Sequence, residues 1–497
     1  MADAVRDETH GPDTALTLEE GRGRWVLFAA VLGSGLAMLD ATVVNIALPQ
    51  IGADLGADFS GLQWTVNAYT LTLASLILLG GSLGDRFGRR RMFVVGTIWF
   101  TLASLLCGLA PNIEALVAAR LLQGAGGALL TPGSLALIQA SFRPEERARA
   151  IGAWSGLGGV AAALGPFVGG ILVELSWRWV FLINLPFGAL VVFVALRHVP
   201  ESRDPDMDPR LDVAGAVLGA VGLAGTTYAL VQFGEAGATS AAVSVGLLGV
   251  ASLVAFVLVE RRSTHPMLPV DVFASRQFTA ANLVTFTVYG ALGGVFFLLV
   301  LHLQIVAGFD PLLAGLALLP TTAAMLLLSA RAGALAQRIG PRLPMTVGPL
   351  TCAGGILLML RIGPGASYVG DVLPAAVIFG LGLSLTVAPL TATVLAAASV
   401  RHAGVASGVN NAVARAAGLL AVAALPVIGG ISGGDYRDPA AFGDGFTVAM
   451  LVCAGLLILG GLLAALTISN AAVKVAPRPE RASHCAVDGP PLHAAKA

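Results

Sequence analysis

Two charges stand inside apolar sequence where a charge is costly, and they carry the first chemical argument. Asp40 falls mid-way along the apolar run 25–49, and Arg120 falls about two turns into the run 112–140. An unpaired carboxylate at the centre of a bilayer costs roughly 2.5 kcal/mol or more. Such an acid gains by taking up a proton, so Asp40 is a candidate to load and release one near neutral pH. The other reading is a structural acid held by a neighbouring helix. Arg120 cannot shed its charge and needs an acid, a carbonyl or water within reach, unless it snorkels to the nearer interface. Gln123 lies one turn further along the same run. In the second half of the chain, Asn410, Asn411 and Arg415 share a run, with Asn411 and Arg415 one turn apart on one face. No acid lies at mid-span there, so Arg415 is left to carbonyls, polar side chains, lipid or an anionic substrate. Tyr69 and Tyr289 are the aromatic residues read as lining a central cavity.

These residues need helices that cross a membrane to position them. The chain has 497 residues, 56% hydrophobic and 12% charged, with mean hydropathy +0.83, far outside the range of soluble domains. Fourteen apolar runs of spanning length can be drawn, at 25–49, 62–84, 92–110, 112–140, 150–173, 177–199, 211–233, 240–259, 277–306, 311–336, 343–361, 369–396, 404–431 and 445–469. Charge placement tests that count independently. Odd-numbered connections carry Asp54, Asp58, Glu114, Glu174, Glu235, Asp310, Asp371, Asp435, Asp438 and Asp444, with Arg178, Arg361 and Arg437 as their basic residues. Even-numbered connections hold most of the other arginines, including Arg86, Arg89, Arg90, Arg91, Arg143, Arg147 and Arg149. Both termini are therefore expected in the cytoplasm.

The densest charge cluster is the turn Gly81-Ser82-Leu83-Gly84-Asp85-Arg86-Phe87-Gly88-Arg89-Arg90-Arg91 after the second run. Gly81, Arg86, Gly88 and Arg90 recur at one constant offset as Gly333, Arg338, Gly340 and Arg342, after the tenth run, with Gln337 in place of Asp85. The repeat divides the chain into a tail 1–24, a six-helix bundle 25–199, linkers with two extra spans 200–276, a second six-helix bundle 277–470 and a tail 471–497. Asp85 is expected to act as a conformational latch on the start of the thirteenth span, near Gly404 to Ser407, with the arginines anchoring the turn. Net charge is zero, which gives no electrostatic case for nucleic acid. No phosphate-cradling G-x-x-x-x-G-K-[ST] loop occurs, and no polar segment is long enough for a catalytic domain. The cysteines are scattered without metal-ligand spacing.

Several separated motifs together resemble the major facilitator superfamily, in its fourteen-helix drug:proton antiporter branch. Gly81 to Arg91 looks like the G-x-L-x-D-R-x-G-R-R loop, and Leu39 to Pro49, with Asp40 and Asn45, is similar to the first-helix signature of the branch. Arg120 to Ala128 matches R-x-x-Q-G-x-G-x-A. Gly165-Pro166-Phe167-Val168-Gly169-Gly170 matches the antiporter motif G-P-x-x-G-G, and Trp177 to Pro186 is a further branch feature. The resemblance implies an all-α polytopic membrane protein with the major facilitator fold, two six-helix bundles plus two extra central helices. It implies no enzyme activity and no cofactor, with a proton gradient as the energy source. Its partners would be protons, a small-molecule substrate and the lipid bilayer, and the protein would be a monomer in a bacterial inner membrane. Asp40, Asn45, Arg120 and Gln123 become candidates for proton coupling or substrate contact, and Gly165, Pro166, Gly169 and Gly170 for a seal between the rocking halves. The implied activity is efflux of lipophilic, often cationic, drugs or metabolites. A substrate:proton symporter or a non-transporting membrane sensor are the alternatives.

Overall fold

The computed structural model describes residues 16–203, 212–263, 266, 268, 270–397, 403–433 and 435–470. Parts of both linkers, residues 1–15 of the tail expected at 1–24 and all of the tail expected at 471–497 lie outside them, and α1 already begins at Gly21. Among the described residues sixteen α-helices follow in order: α1 Gly21–Leu55, α2 Phe59–Phe87, α3 Arg89–Gly108, α4 Ile113–Ser141, α5 Pro144–Leu175, α6 Trp179–Leu182, α7 Asn184–His198, α8 Val213–Ala236, α9 Ser240–Arg262, α10 Arg276–Ile305, α11 Pro311–Leu316, α12 Leu319–Ile339, α13 Arg342–Met359, α14 Leu373–Ala396, α15 Ala403–Gly429 and α16 Pro439–Thr467. The pairs α6/α7 and α11/α12 each make one broken span; among the described residues thirteen spans are long and apolar enough to cross a membrane, and α5, apolar over Leu164–Leu175, is the fourteenth helix of an all-α polytopic fold.

Local sequence explains both the starts and the breaks. Several acids and amides of the odd connections are helix N-caps. Asp58 accepts from Gly61 N at 2.8 Å, Asn112 from Ala115 N at 2.9 Å and Asp310 from Leu313 N at 2.7 Å. Such caps satisfy backbone donors that a helix start leaves open and oppose its positive dipole end. The breaks follow prolines. Pro186 frees the carbonyl of Leu182, where α6 ends, and Pro320 frees that of Leu316, where α11 ends. The Tyr368 hydroxyl donates to the freed Leu316 carbonyl at 3.4 Å.

In the first half α1 packs on α4, α5 and α7, while α4 also packs on α2 and α3. In the second half α10 packs on α14, α15 and α16 in the corresponding way. Large apolar side chains such as Leu102 and Leu106 on α3 and Leu247 and Leu248 on α9 stay exposed, as a lipid-facing surface requires. The two extra helices have distinct places. α8 lies against α2 of one half and α15 of the other, and α9 rests on α8.

Hydrogen bonds that join the halves gather at the face away from the α2–α3 turn. Gln63 donates to the Val422 carbonyl at 2.8 Å and Gln304 to that of Ile46 at 3.0 Å. The Tyr436 hydroxyl and Arg437 both donate to the Ala57 carbonyl, at 2.8 and 3.2 Å, and Phe59 packs on Phe297, Tyr436 and Phe442. Toward the turn face α2 and α15 still meet at Leu78 and Gly408. There, however, α12 buries only Ala332 and Ala336 below Thr321. The conformation is thus one in which the cleft between the halves is sealed at the face opposite the turn.

Candidate functional site

Asp40, Arg120 and Gln123 come together inside the first half. α2 and α4 approach backbone to backbone at Gly124, where an added Cβ would lie 2.3 Å from the Tyr69 carbonyl oxygen. That contact sets the Arg120 guanidinium over the Tyr69 ring, 4.4 Å from its centroid, with the Phe181 ring 5.7 Å away. Arg120 Nη1 donates to Asp40 Oδ2 at 2.5 Å and to Gln123 Oε1 at 2.7 Å, while its Nε donates to the Thr65 carbonyl at 3.0 Å. Asp40 Oδ1 accepts from Gln123 Nε2 at 2.8 Å and from Asn184 Nδ2 at 3.1 Å. Both charges are sealed from solvent, Asp40 at 0% and Arg120 at 1% exposure. Arg120 therefore points inward to an acid and does not snorkel. A carboxylate with three donors, one of them a guanidinium, is a fully satisfied charge-assisted pair. Asn45, on the same helix, keeps a buried Oδ1 without a partner among the described residues.

Asn184 and Ser104 complete the network and escaped the reading of the sequence. The Ser104 hydroxyl accepts from Gln123 at 3.2 Å and Asn184 at 2.9 Å and donates to the Phe181 carbonyl at 2.9 Å. Asn184 was visible as part of the Trp177 to Pro186 motif, and its place after the α6/α7 break is what aims it at Asp40. The front of that motif has a separate task, since Trp177 Nε1 and Arg178 Nη1 both reach Asp54 Oδ2, at 2.8 and 2.7 Å.

The glycines of the G-P-x-x-G-G motif put α5 between the halves. An added Cβ on Gly165 would sit 2.0 Å from Thr42 Oγ1, and one on Gly169 would touch Val43, so both face α1. Gly170 faces the other half, where a Cβ would lie 2.7 Å from Leu312 Cα. Gly315 meets the Pro166 carbonyl oxygen from the opposite side, 2.2 Å from a built Cβ. Close approach of this kind is open to glycine alone.

In the charged turn, Gly88 takes φ 110° and its open side is filled by the Glu201 carboxylate. Glu201 accepts from the backbone N–H groups of Arg90 and Arg91 at 3.1 and 3.2 Å, and its carboxylate lies 3.6 Å from Arg90 Nε. Asp85 Oδ1 accepts from Arg89 Nε at 2.8 Å. Gly81 lies against Pro132 of α4, and Arg86 covers the Phe87 ring at 4.9 Å. Residues 398–402, just before the α15 start expected to receive Asp85, lie outside the described residues.

The second-half candidates form a different cluster. Asn410 Nδ2 donates to Thr285 Oγ1 at 2.7 Å and to Asn282 Oδ1 at 3.2 Å, tying α15 to α10. Arg415 Nε donates to Asn411 Oδ1 at 3.4 Å. Arg415 is half-buried on α15, which packs on α2 and α10, the helices that carry Tyr69 and Tyr289.

Residues 30–422 match the family model described as Major Facilitator Superfamily. The puromycin resistance protein of Streptomyces alboniger is 38% identical over 460 residues, covering 90% of this chain and 91% of that protein. The methylenomycin A resistance protein of Bacillus subtilis is 36% identical, covering 86% of this chain and 91% of that protein. Among solved structures, a bacterial homolog of the human lysosomal transporter Spinster superposes with a TM-score of 0.64 at 18% identity, over 90% of this chain and 97% of that one.

Proposed function

This chain belongs to the major facilitator superfamily of membrane transporters, and on that premise we propose that it is a proton-driven exporter of small lipophilic drugs or metabolites. Its relatives are named for resistance to antibiotics, which supports drug efflux. The observation that carries the proton-coupled reading is the buried Asp40–Arg120–Gln123–Asn184 network. In a conformation sealed at the face away from the turn, Asp40 is engaged by a cation that cannot deprotonate. A proton arriving at Asp40 cancels the ion pair and leaves Arg120 to Gln123 and the Thr65 carbonyl. The two charge states thereby favour different packings of α1 against α4. That difference in free energy is what alternating access requires. Gly165, Pro166, Gly169 and Gly170 let α5 close on α11 and seal the leak path. Asp85, held by Arg89 here, passes to the start of α15 when the turn face closes. We place the protein as a monomer in a bacterial inner membrane with the turn face and both termini in the cytoplasm, using the proton gradient and no cofactor.

The deciding experiment is Asp40→Asn in proteoliposomes. Substrate counterflow should persist while accumulation driven by a proton gradient is lost. Gradient-driven transport at the wild-type rate in Asp40→Asn would remove the coupling site.

A further inference from the structure

Arg415 is a mid-membrane cation with no ion-pair partner among the described residues. It stands twelve residues from the start of α15 at Ala403 and fourteen from its end at Gly429, roughly 18–21 Å along the axis. Within 277–470 the acids are Asp310, Asp371, Asp435, Asp438 and Asp444. All five lie before or within the first two turns of their spans on the sealed face. The mid-span acid of the first half, Asp40, is already occupied by three donors. With Asp40 ionised, Asp40, Arg120 and Arg415 sum to one positive charge, and Arg331, eight residues before the end of α12, adds a second.

The geometry around Arg415 suits an arriving oxyanion. Asn411 holds Nε, and the two Nη groups have no acceptor among the described residues. Those two N–H-bearing groups form the fork that matches a carboxylate with two parallel bonds. Asn410, fixed to Asn282 and Thr285, holds this stretch of α15 against α10. α15 packs on α2 of the other half as well as on α10 of its own, which places Arg415 on a helix that borders both halves.

We infer that Arg415 is an anion subsite in the central cleft, binding the carboxylate or other oxyanion of an amphiphilic organic substrate through its Nη groups, so that organic anions are among the compounds carried. The inference rests on the export reading above and adds the substrate class. It has an electrical consequence. Exchange of one monoanion for one entering proton moves two charges in the direction an inside-negative potential favours, whereas exchange of a monocation for a proton moves none.

Fluorescein and rhodamine 123, an anion and a cation on similar ring systems, serve as probes for the purified full-length protein in detergent, read by fluorescence anisotropy. Wild type should bind fluorescein. Arg415→Gln should weaken that binding roughly tenfold or more, leave rhodamine 123 unchanged or tighter, and Arg415→Lys should recover part of the fluorescein affinity. Absence of fluorescein binding by wild type, unchanged affinity in Arg415→Gln, or an equal fall for both probes overturns the subsite. Transport in proteoliposomes separates the two readings. Charge-selective binding without gradient-driven movement of either probe leaves the subsite standing and removes the exporter. Gradient-driven movement of rhodamine 123 by a wild type that does not bind fluorescein leaves the exporter and removes the subsite.

Discussion

The two halves of the molecule share a frame and differ in how they treat charge. Each half closes the turn after its second span on a glycine with positive φ, 110° at Gly88 and 91° at Gly340. Each fills the space a Cβ would take with a side chain from just beyond its own last helix, Glu201 in the first half and Asn470 in the second. Each of those side chains also caps the next helix, at Arg90 and Arg91 N–H and at Arg342 N–H. The frame therefore needs an oxygen acceptor and a missing side chain, and a carboxylate or an amide serves. At mid-membrane the halves part company. The first neutralises its cation internally, through Arg120 and Asp40, while the second holds Arg415 with an amide alone. On the function proposed above, the half that balances its own charge changes state by gaining a proton, and the half that does not attracts a charge from outside.

The largest test of that contrast compares two arginine deletions. Arg120→Ala leaves Asp40 charged, buried and without its counter-ion, a loss of about 3–5 kcal/mol. The thermal midpoint in detergent should fall steeply, and transport should vanish. Arg120→Lys should recover little, because one ammonium cannot reach Asp40, Gln123 and the Thr65 carbonyl from the same position. The double variant Asp40→Asn, Arg120→Gln should regain most of the stability. Arg415→Ala strands no acid, so its midpoint should stay at or above that of wild type. A fall in Arg415→Ala as large as that in Arg120→Ala would break the comparison.

The next test concerns the seam where the halves meet. Gly170 abuts Leu312 with no space for a methyl group, and the obstructing atoms are backbone. Gly170→Ala should penalise the conformation sealed at this face by about 1–3 kcal/mol and shift the population toward one open there. Spin labels at the exposed positions Ala53 and Ala441 should report a longer mean distance than in the unsubstituted protein. An identical distance distribution would mean that α5 and α11 can slide to absorb the methyl group.

How much of this was legible in the sequence depends on the range of the interaction. The spans and the repeat were readable because bilayer thickness and charge placement act on local composition. Asp40 and Arg120 could each be singled out as a charge in an apolar run. Their pairing across eighty residues required the packing of α1 on α4, which no local pattern encodes. Asn184 stood inside a recognised motif, yet its direction is set by the break before Pro186. Glu201 read as one residue of a polar linker, since nothing in the sequence says that the linker returns to the turn at Gly88. The acids of the odd connections were legible as markers of sidedness, and Asp58, Asp310 and Asp438 also prove to be N-caps. The place of α8 against both α2 and α15 had no sequence signal, because its surface is apolar all round.

The smallest expected effects come from exchanging the two turn caps. Glu201→Ala removes a carboxylate from two backbone donors and from Arg90, which should cost about 1–2 kcal/mol. Asn470→Ala removes a cap with one backbone contact and should cost nearer 0.5–1 kcal/mol. Asn470→Asp transplants the first half's arrangement into the second. It places a negative charge at the N-terminus of α13 beside Arg342 and should raise the thermal midpoint by an amount equivalent to about 0.3–1 kcal/mol. If the frame needs only an acceptor oxygen, Glu201→Gln should lie within about 1 kcal/mol of wild type. A loss for Glu201→Gln as large as that for Glu201→Ala would show that the first-half turn depends on the charge itself. The two halves would then differ in their frames as well as in their interiors.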